Sequence, residues 1–282
     1  MSNETVTGKV ILAGAGPGDP ELITLKAARY LREADVILTD RLVSDEILIS
    51  HVQPYAKIIH VGKQCGRGTS TSQETINDLL VHYALSGKLV VRLKGGDVSI
   101  FSNILDELET LVSNHIPYEI IPGVTASLGA AACAGIPLTA RNHATAVRFL
   151  TYYKSDIVSE EYWKELAETN DTLVFYMSSG ALSKVVEKLT ANNIDKNKLL
   201  AIIEQATTLF QKVHVTDLYE FENKFKQQSF ISPSLIIIGK VVALHERFAW
   251  LINSSGNEYY FKPMASQVIS IHETDKLHKH VS

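Results

Sequence analysis

The sequence predicts an α/β protein built as two α/β domains. Three observations point there. From residue 8 to about residue 121, short β-branched apolar runs alternate with segments of helical period, the pattern of parallel strands joined by crossover helices. Glycine turns follow two of those runs, "GAGPGD" at 14–19 and "KGGD" at 94–97. After Gly123 the texture changes to a small-residue stretch and then to strand-like runs with fewer helices, which places a junction near 120–124. The expected division is 8–121, 122–251, and a polar extension over 252–282.

Taken in order, "KVILAG" reads as a buried strand, and "DPELITLKAARYLREA" as an amphipathic helix with Asp19 near its start. "DVILTD" and "KIIHVG" are strands, and "QETINDLLVHYALSG" is a helix ended by Gly87. "KLVVRLKGGD" is a strand running into a turn, "SNILDELETLVSN" a helix, and "YEIIPG" a strand. "TASLGAAACAGIP" is a helix of small residues that lets backbones approach closely. "AVRFLTYY", "TLVFYM", "KLLAIIEQA", "QKVHVTDL" and "SPSLIIIGKVVAL" are the strands of the second half.

Composition narrows the function classes. Across 282 residues, 45% are apolar and 21% charged, and the net charge is −4. That balance is ordinary for a globular protein and argues against a general nucleic-acid binder, which needs a strongly basic face. The two cysteines, Cys65 and Cys133, have no CxxC spacing, so neither a disulfide framework nor a zinc site is expected. Cys133 reads as a small buried residue. His272, His278 and His280 have a spacing that suits a metal, but in a polar terminus they read as solvated, and no metal is expected. The longest apolar runs, "LIIIG" at 235–239 among them, are too short to cross a bilayer, and "MSNETVTGKV" lacks the pattern of a signal peptide. A cytoplasmic protein without membrane or nucleic-acid partner is the expectation.

The first glycine loop invites comparison with a dinucleotide fingerprint, G-x-G-x-x-G. Gly14, Gly16 and Gly18 give G-x-G-x-G instead, and Asp19 stands where the third glycine belongs. Pro17 removes a backbone N–H from a loop that would offer N–H groups to a pyrophosphate, and a carboxylate at a helix start repels phosphate. The loop suits a ligand without phosphate, a cation among them. A strand–helix turn with no ligand is the other reading. Gly95, Gly96 and Asp97 repeat the arrangement after another strand, and two such turns at strand carboxyl ends can share one pocket.

The blocks "GAGPGDPELITLKA", "ADVILTDRLVS", "VGK", "VRLKGGD", "PGVTAS", "AGIPLTAR", "TLVFYM" and "SPSLIIIGKVVAL" occur in the order and approximate spacing of the tetrapyrrole methylases. Over about 8–251 the chain resembles that family, most nearly its uroporphyrinogen-III C-methyltransferases. It does not resemble the dehydrogenase and ferrochelatase domain that some relatives carry in fusion. The resemblance implies two α/β domains with a cofactor cleft between them, a homodimer, and S-adenosyl-L-methionine as cofactor, a sulfonium nucleoside without phosphate. The implied cofactor contacts are Pro17, Gly95, Gly96, Asp97, Ile100, Thr125, Ala126, Met177 and Ala206. The implied reaction methylates uroporphyrinogen III at C2 and C7 to give precorrin-2, on the route to sirohaem or corrinoids.

Asp40 and Lys63 align with the family's proton acceptor and donor. Each has a second reading, Asp40 as a loop cap and Lys63 as a contact to a substrate carboxylate. Arg141, in "PLTAR", aligns with a substrate-binding arginine, and Arg41, Arg67, Arg92 and Lys94 are further candidates that can equally be solvated surface charges. The chain departs from the family where relatives read "GGDPFIFGRGGEE". Here Asn103 replaces the substrate-binding arginine, Asp106 replaces the first glutamate of the pair, and Ala140 stands where "PLTHR" has histidine. Substrate identity is therefore the open point. The alternatives are methylation of another tetrapyrrole or of a diphthamide precursor, or a protein that binds S-adenosylmethionine or a tetrapyrrole without turnover. A nicotinamide oxidoreductase is disfavoured by the missing third glycine.

Overall fold

A computed structural model describes residues 7–62, 71–152, 158–226 and 228–261. These separate into two compact units that divide between Thr125 and Ala126, the second running to Tyr260.

The first unit holds strands β1 (Lys9–Gly14), β2 (Val36–Thr39), β3 (Lys57–His60), β4 (Leu89–Lys94) and β5 (Tyr118–Ile121). They form one sheet in the order β3-β2-β4-β1-β5, and every pairing is parallel. Helices α1 (Leu25–Glu33) and α2 (Asp45–His51) cover one face, and α3 (Gln73–Leu85) and α4 (Ile104–Ser113) the other. Strand alternation supplies both cores. Val10 and Leu12 of β1 pack towards α3 and α4, while Ile11 and Ala13 pack with α1 and α2.

The expected helix over 19–34 is broken. Asp19 accepts from the Glu21 N–H at 2.9 Å to cap a short 3₁₀ turn, Pro20–Leu22, and Thr24 then caps α1 by accepting from Ala27 N–H at 3.2 Å. Two caps in six residues outcompete one continuous helix. Helix α2 is not legible in the sequence, because its seven residues expose Ile49 and show little period.

The second unit starts with α5 (Ala126–Cys133), which is the expected small-residue helix. Its strands are β6 (Val147–Thr151), β7 (Thr172–Tyr176), β8 (Leu199–Glu204), β9 (Lys212–Asp217) and β10 (Ser234–Gly239), in the order β6-β7-β10-β8-β9. Only β6 and β7 run parallel; β10 is antiparallel to both β7 and β8, and β9 to β8. Helices α6 (Glu160–Glu168), α7 (Leu182–Ala191) and α8 (Phe221–Phe225) build a core around Trp163 on one face. Helix α5 and a 3₁₀ segment, Lys240–Leu244, close the other, and α9 (His245–Phe248) follows. Cys133 is half-buried rather than enclosed. Among the described residues, no helix is long and apolar enough to cross a membrane.

Candidate active site

Topology marks the place in the first unit. The crossover after β1 runs over the α1 face, and the one after β4 runs over the α4 face, although β1 and β4 are neighbours. Connections that part from adjacent strands to opposite faces leave a crevice at the carboxyl ends, where open α/β sheets bind ligands.

Both glycine turns emerge at that point. Gly16 N–H donates to Gly96 C=O at 3.1 Å, and Gly96 N–H to Gly16 C=O at 2.7 Å. Both residues have positive φ, 82° and 71°. A third turn joins them, because a Cβ on Gly14 would lie 2.6 Å from Gly96 O and 2.7 Å from Gly123 N. No side chain fits there. The Asp97 carboxylate locks the junction, with Oδ2 accepting from Gly123 N–H at 2.8 Å and Oδ1 from Ser99 N–H at 2.8 Å. Burial would raise this carboxyl, but the Ser99 hydroxyl and the surrounding amides outweigh it and hold Asp97 below its ordinary range.

The backbone of the first loop has little left for a phosphate. Ala15 N–H donates to Lys94 C=O at 2.8 Å, Gly16 N–H is engaged by Gly96, and Pro17 has none. Asp19, the candidate partner for a cation, caps its own turn. Pro17 and Ile100 are half-buried beside these turns, and Thr125 is buried at the end of the unit.

Beneath the turns lies a buried charge network containing Arg92 and Lys94, which the sequence offers as substrate contacts or solvated surface charges. Arg92 and Lys94 occupy alternate positions of β4, so both point to the α4 face. Arg92 Nε donates to Glu107 Oε1 at 2.9 Å, and its Nη2 to Asp40 Oδ1 at 2.6 Å. Lys94 Nζ donates to both Glu107 oxygens, at 2.9 and 2.8 Å. The Arg92, Lys94 and Glu107 side chains are 3%, 4% and 0% exposed, whereas that of Asp40, just past β2, is 27% exposed. Burial disfavours the Arg92 charge, but the two carboxylates outweigh it and raise its pKa. Burial lowers that of Lys94, and the adjacent guanidinium adds to the effect. Next to Asp40, Arg41 is half-buried with its Nε hydrogen-bonded to nothing among the described residues, and burial pulls its pKa down. Such a guanidinium is suited to an anion.

Asn103 and Asp106 do something local. Asn103 takes the left-handed conformation, φ 53°, ahead of α4, and its Nδ2 donates to Asp106 Oδ2 at 2.7 Å on an exposed helix start. Glu107, missed in the sequence, left a signal. It sits in the stripe Ile104, Leu108, Leu111 that α4 turns inward, opposite two cations on one strand face. Lys63 and Arg67 lie outside the described residues, as do Cys65, His272, His278 and His280.

In the second unit, β6, β7 and β8 point their carboxyl ends the same way. Met177 follows β7 with φ 53° and is half exposed, and Ala206 follows β8 between Gln205 (φ 46°) and Thr207 (φ 67°). The Tyr176 hydroxyl accepts from Ser127 N–H at 3.1 Å, which ties the start of α5, and with it Ala126, to the end of β7. Arg141 is exposed on a tight turn closed by pairing of Ala140 with Ala144.

A sequence profile for the Tetrapyrrole (Corrin/Porphyrin) Methylases matches residues 9–222. The chain belongs to this family. A curated relative, the siroheme synthase of Vesicomyosocius okutanii, is 42% identical over 247 residues, which cover 88% of this chain and 53% of that protein. The chain thus spans about half the length of the curated relatives it matches. Among solved structures, a Thermus thermophilus uroporphyrin-III C-methyltransferase complexed with S-adenosylhomocysteine is 32% identical with a TM-score of 0.69. It covers 83% of this chain and 93% of that one. A cobalt precorrin-4 methyltransferase is 26% identical with a TM-score of 0.73, covering 83% and 95%. As a tetrapyrrole methylase the chain has the family's two-domain α/β fold, and the turns described above fall within the matched span.

Proposed function

We propose that this chain is a uroporphyrinogen-III C-methyltransferase, transferring methyl groups from S-adenosyl-L-methionine to C2 and C7 of the tetrapyrrole. The observation that carries the reading is the locked junction of three glycine turns at the β1/β4 switch point, with Asp40 at the carboxyl end of neighbouring β2. The fit to a sulfonium nucleoside is chemical. Residues 15–17 offer no N–H to a diphosphate, while Gly95, Gly96 and Asp97 keep their backbone close and their charge negative.

When bound, the donor supplies an electrophilic methyl on sulfur, which an electron-rich pyrrole carbon displaces in line, releasing S-adenosylhomocysteine. The chain's part is chiefly to align the two reactants, an effect that reaches about 7–11 kcal/mol. Pro17, Gly95, Gly96, Asp97, Ile100, Thr125, Ala126, Met177 and Ala206 are the donor contacts in this reading. Asp40 takes the proton that the alkylated ring loses, and Arg92, fixed by Glu107, orients its carboxylate. Lys63 is the proton donor. Arg41, with its unsatisfied Nε, and Arg141 bind substrate carboxylates. The same reading makes the protein a cytoplasmic homodimer.

A second reading has its own observation. Asn103 and Asp106 bond to each other at the start of α4, so the substrate contact that relatives draw from this position is missing. A different tetrapyrrole, further along a corrinoid route, is the substrate in that case. Purified protein given S-adenosylmethionine and enzymatically generated uroporphyrinogen III should yield a product heavier by two methyl groups. Donor turnover only with a later precorrin selects the second reading, and donor binding without turnover on any tetrapyrrole removes both.

A further inference from the structure

Residues 253–260 run along the outer edge of the second sheet. Among the described strands β9 pairs with β8 alone, so no strand pairs with the backbone groups of its far edge. Asn253 fills the place of a neighbouring strand with its side chain. Its Oδ1 accepts from Val213 N–H at 2.8 Å, and its Nδ2 donates to Val213 C=O at 3.1 Å. Ser254 N–H donates to Gln211 C=O at 2.9 Å, and Lys212 Nζ to Asn257 Oδ1 at 2.6 Å.

The same segment then reaches the turn that carries Ala206. Gln205 Nε2 donates to Glu258 C=O at 2.9 Å, and Gln205 Oε1 accepts from Tyr260 N–H at 2.8 Å. From within, Gln211 Oε1 accepts from Thr207 N–H and the Thr208 hydroxyl donates to Gln205 C=O, both at 2.8 Å. Gln205 and Gln211 are 1% and 2% exposed. Left-handed backbone at Gln205 and at β-branched Thr207 persists only when the surroundings over-determine it. Here the surroundings include a segment more than forty positions away in sequence.

We propose that residues 253–260 form a strap that holds the Gln205–Thr208 turn in the shape presenting Ala206 to the methyl donor, making Gln205 and Asn253 positioning residues for donor affinity. This rests on the reading that Ala206 touches the donor. Without the strap only a fraction of chains hold the competent turn, and apparent affinity falls by that fraction. Chemistry in the loaded complex is unchanged.

The test uses the full chain with Gln205→Ala and Asn253→Ala. Calorimetric titration with S-adenosylhomocysteine should give a Kd at least about fivefold weaker, and the donor KM should rise in parallel while kcat at saturating donor stays within about twofold. Gln205→Glu keeps the acceptor for Tyr260 N–H but loses the donor to Glu258 C=O, and should fall between. Should Gln205→Ala fail to fold, the exposed Asn253→Ala decides alone. Unchanged Kd in folded strap variants, even with a lower Tm, overturns the proposal. Ala206→Leu separates the two readings. If it leaves Kd unchanged, the turn does not touch the donor; if it weakens Kd while the strap variants do not, the strap alone is wrong.

Discussion

Glu107 and Asp106 are neighbours in sequence and opposites in environment. Glu107 is wholly buried and holds two cations, whereas Asp106 sits at an exposed helix start with Asn103. Removing one partner of a buried ion network leaves an uncompensated charge, at a cost of about 3–5 kcal/mol. Glu107→Gln should therefore lower unfolding free energy by about 3 kcal/mol or more in a urea titration, and Asp106→Asn by under about 1 kcal/mol. Equal losses would mean that the network is solvated. On the solvent side, Glu119 is held down to about 2 by hydrogen bonds from Lys26, Lys9 and Tyr30. A depressed carboxyl contributes stability present above its unfolded value of 4.5, lost as pH falls towards 2. Glu119→Gln should lower stability at neutral pH and leave it little changed near pH 2, so that the acid limb of the stability–pH curve is flatter across that window.

At the level of elements, the strands were legible because central strands buried on both faces are unbroken apolar runs, and "KVILAG" and "SLIIIG" announce themselves. Their pairing was not. Nothing local in β10 distinguishes an antiparallel neighbour from a parallel one, and the mixed second sheet follows from how the chain returns. The burial of Arg92 and Lys94 was not legible for a related reason. Period 2 puts them on one face, but only the packing of α4 says that this face is closed. The break before α1 was hidden because "PELITLKAARYL" keeps a helical apolar period across it, and the caps that divide it are single side-chain bonds. Thr24→Ala should remove the α1 cap and cost about 1 kcal/mol in thermal unfolding. A change within a few tenths would place Thr24 inside a continuous helix.

At the scale of the whole molecule, ligand class follows from which backbone groups the fold leaves open. A dinucleotide site on a parallel sheet works by aiming successive N–H groups of the first loop at a pyrophosphate. In this chain the parallel sheet and its switch point are present, but Ala15 and Gly16 donate to the β4 strand and turn, and Pro17 cannot donate. The fold therefore offers the crevice without the phosphate contacts, a distinction that Pro17 and Asp19 already carried in the sequence. Ligand binding stabilises by mass action, about 2.7 kcal/mol at a hundredfold excess over Kd, which is several degrees in Tm for units of this size. S-adenosylhomocysteine should raise the thermal midpoint by that order, and NAD at the same concentration should leave it in place. The opposite pattern would require Gly16 and Gly96 to release each other and turn their N–H groups outward, breaking the pair of bonds that closes the junction. Pro17→Ala adds an N–H without disturbing that pair, so it should leave NAD inert as well; a gain of NAD response on that single change would mean that proline alone, and not the Gly16–Gly96 closure, excludes diphosphates.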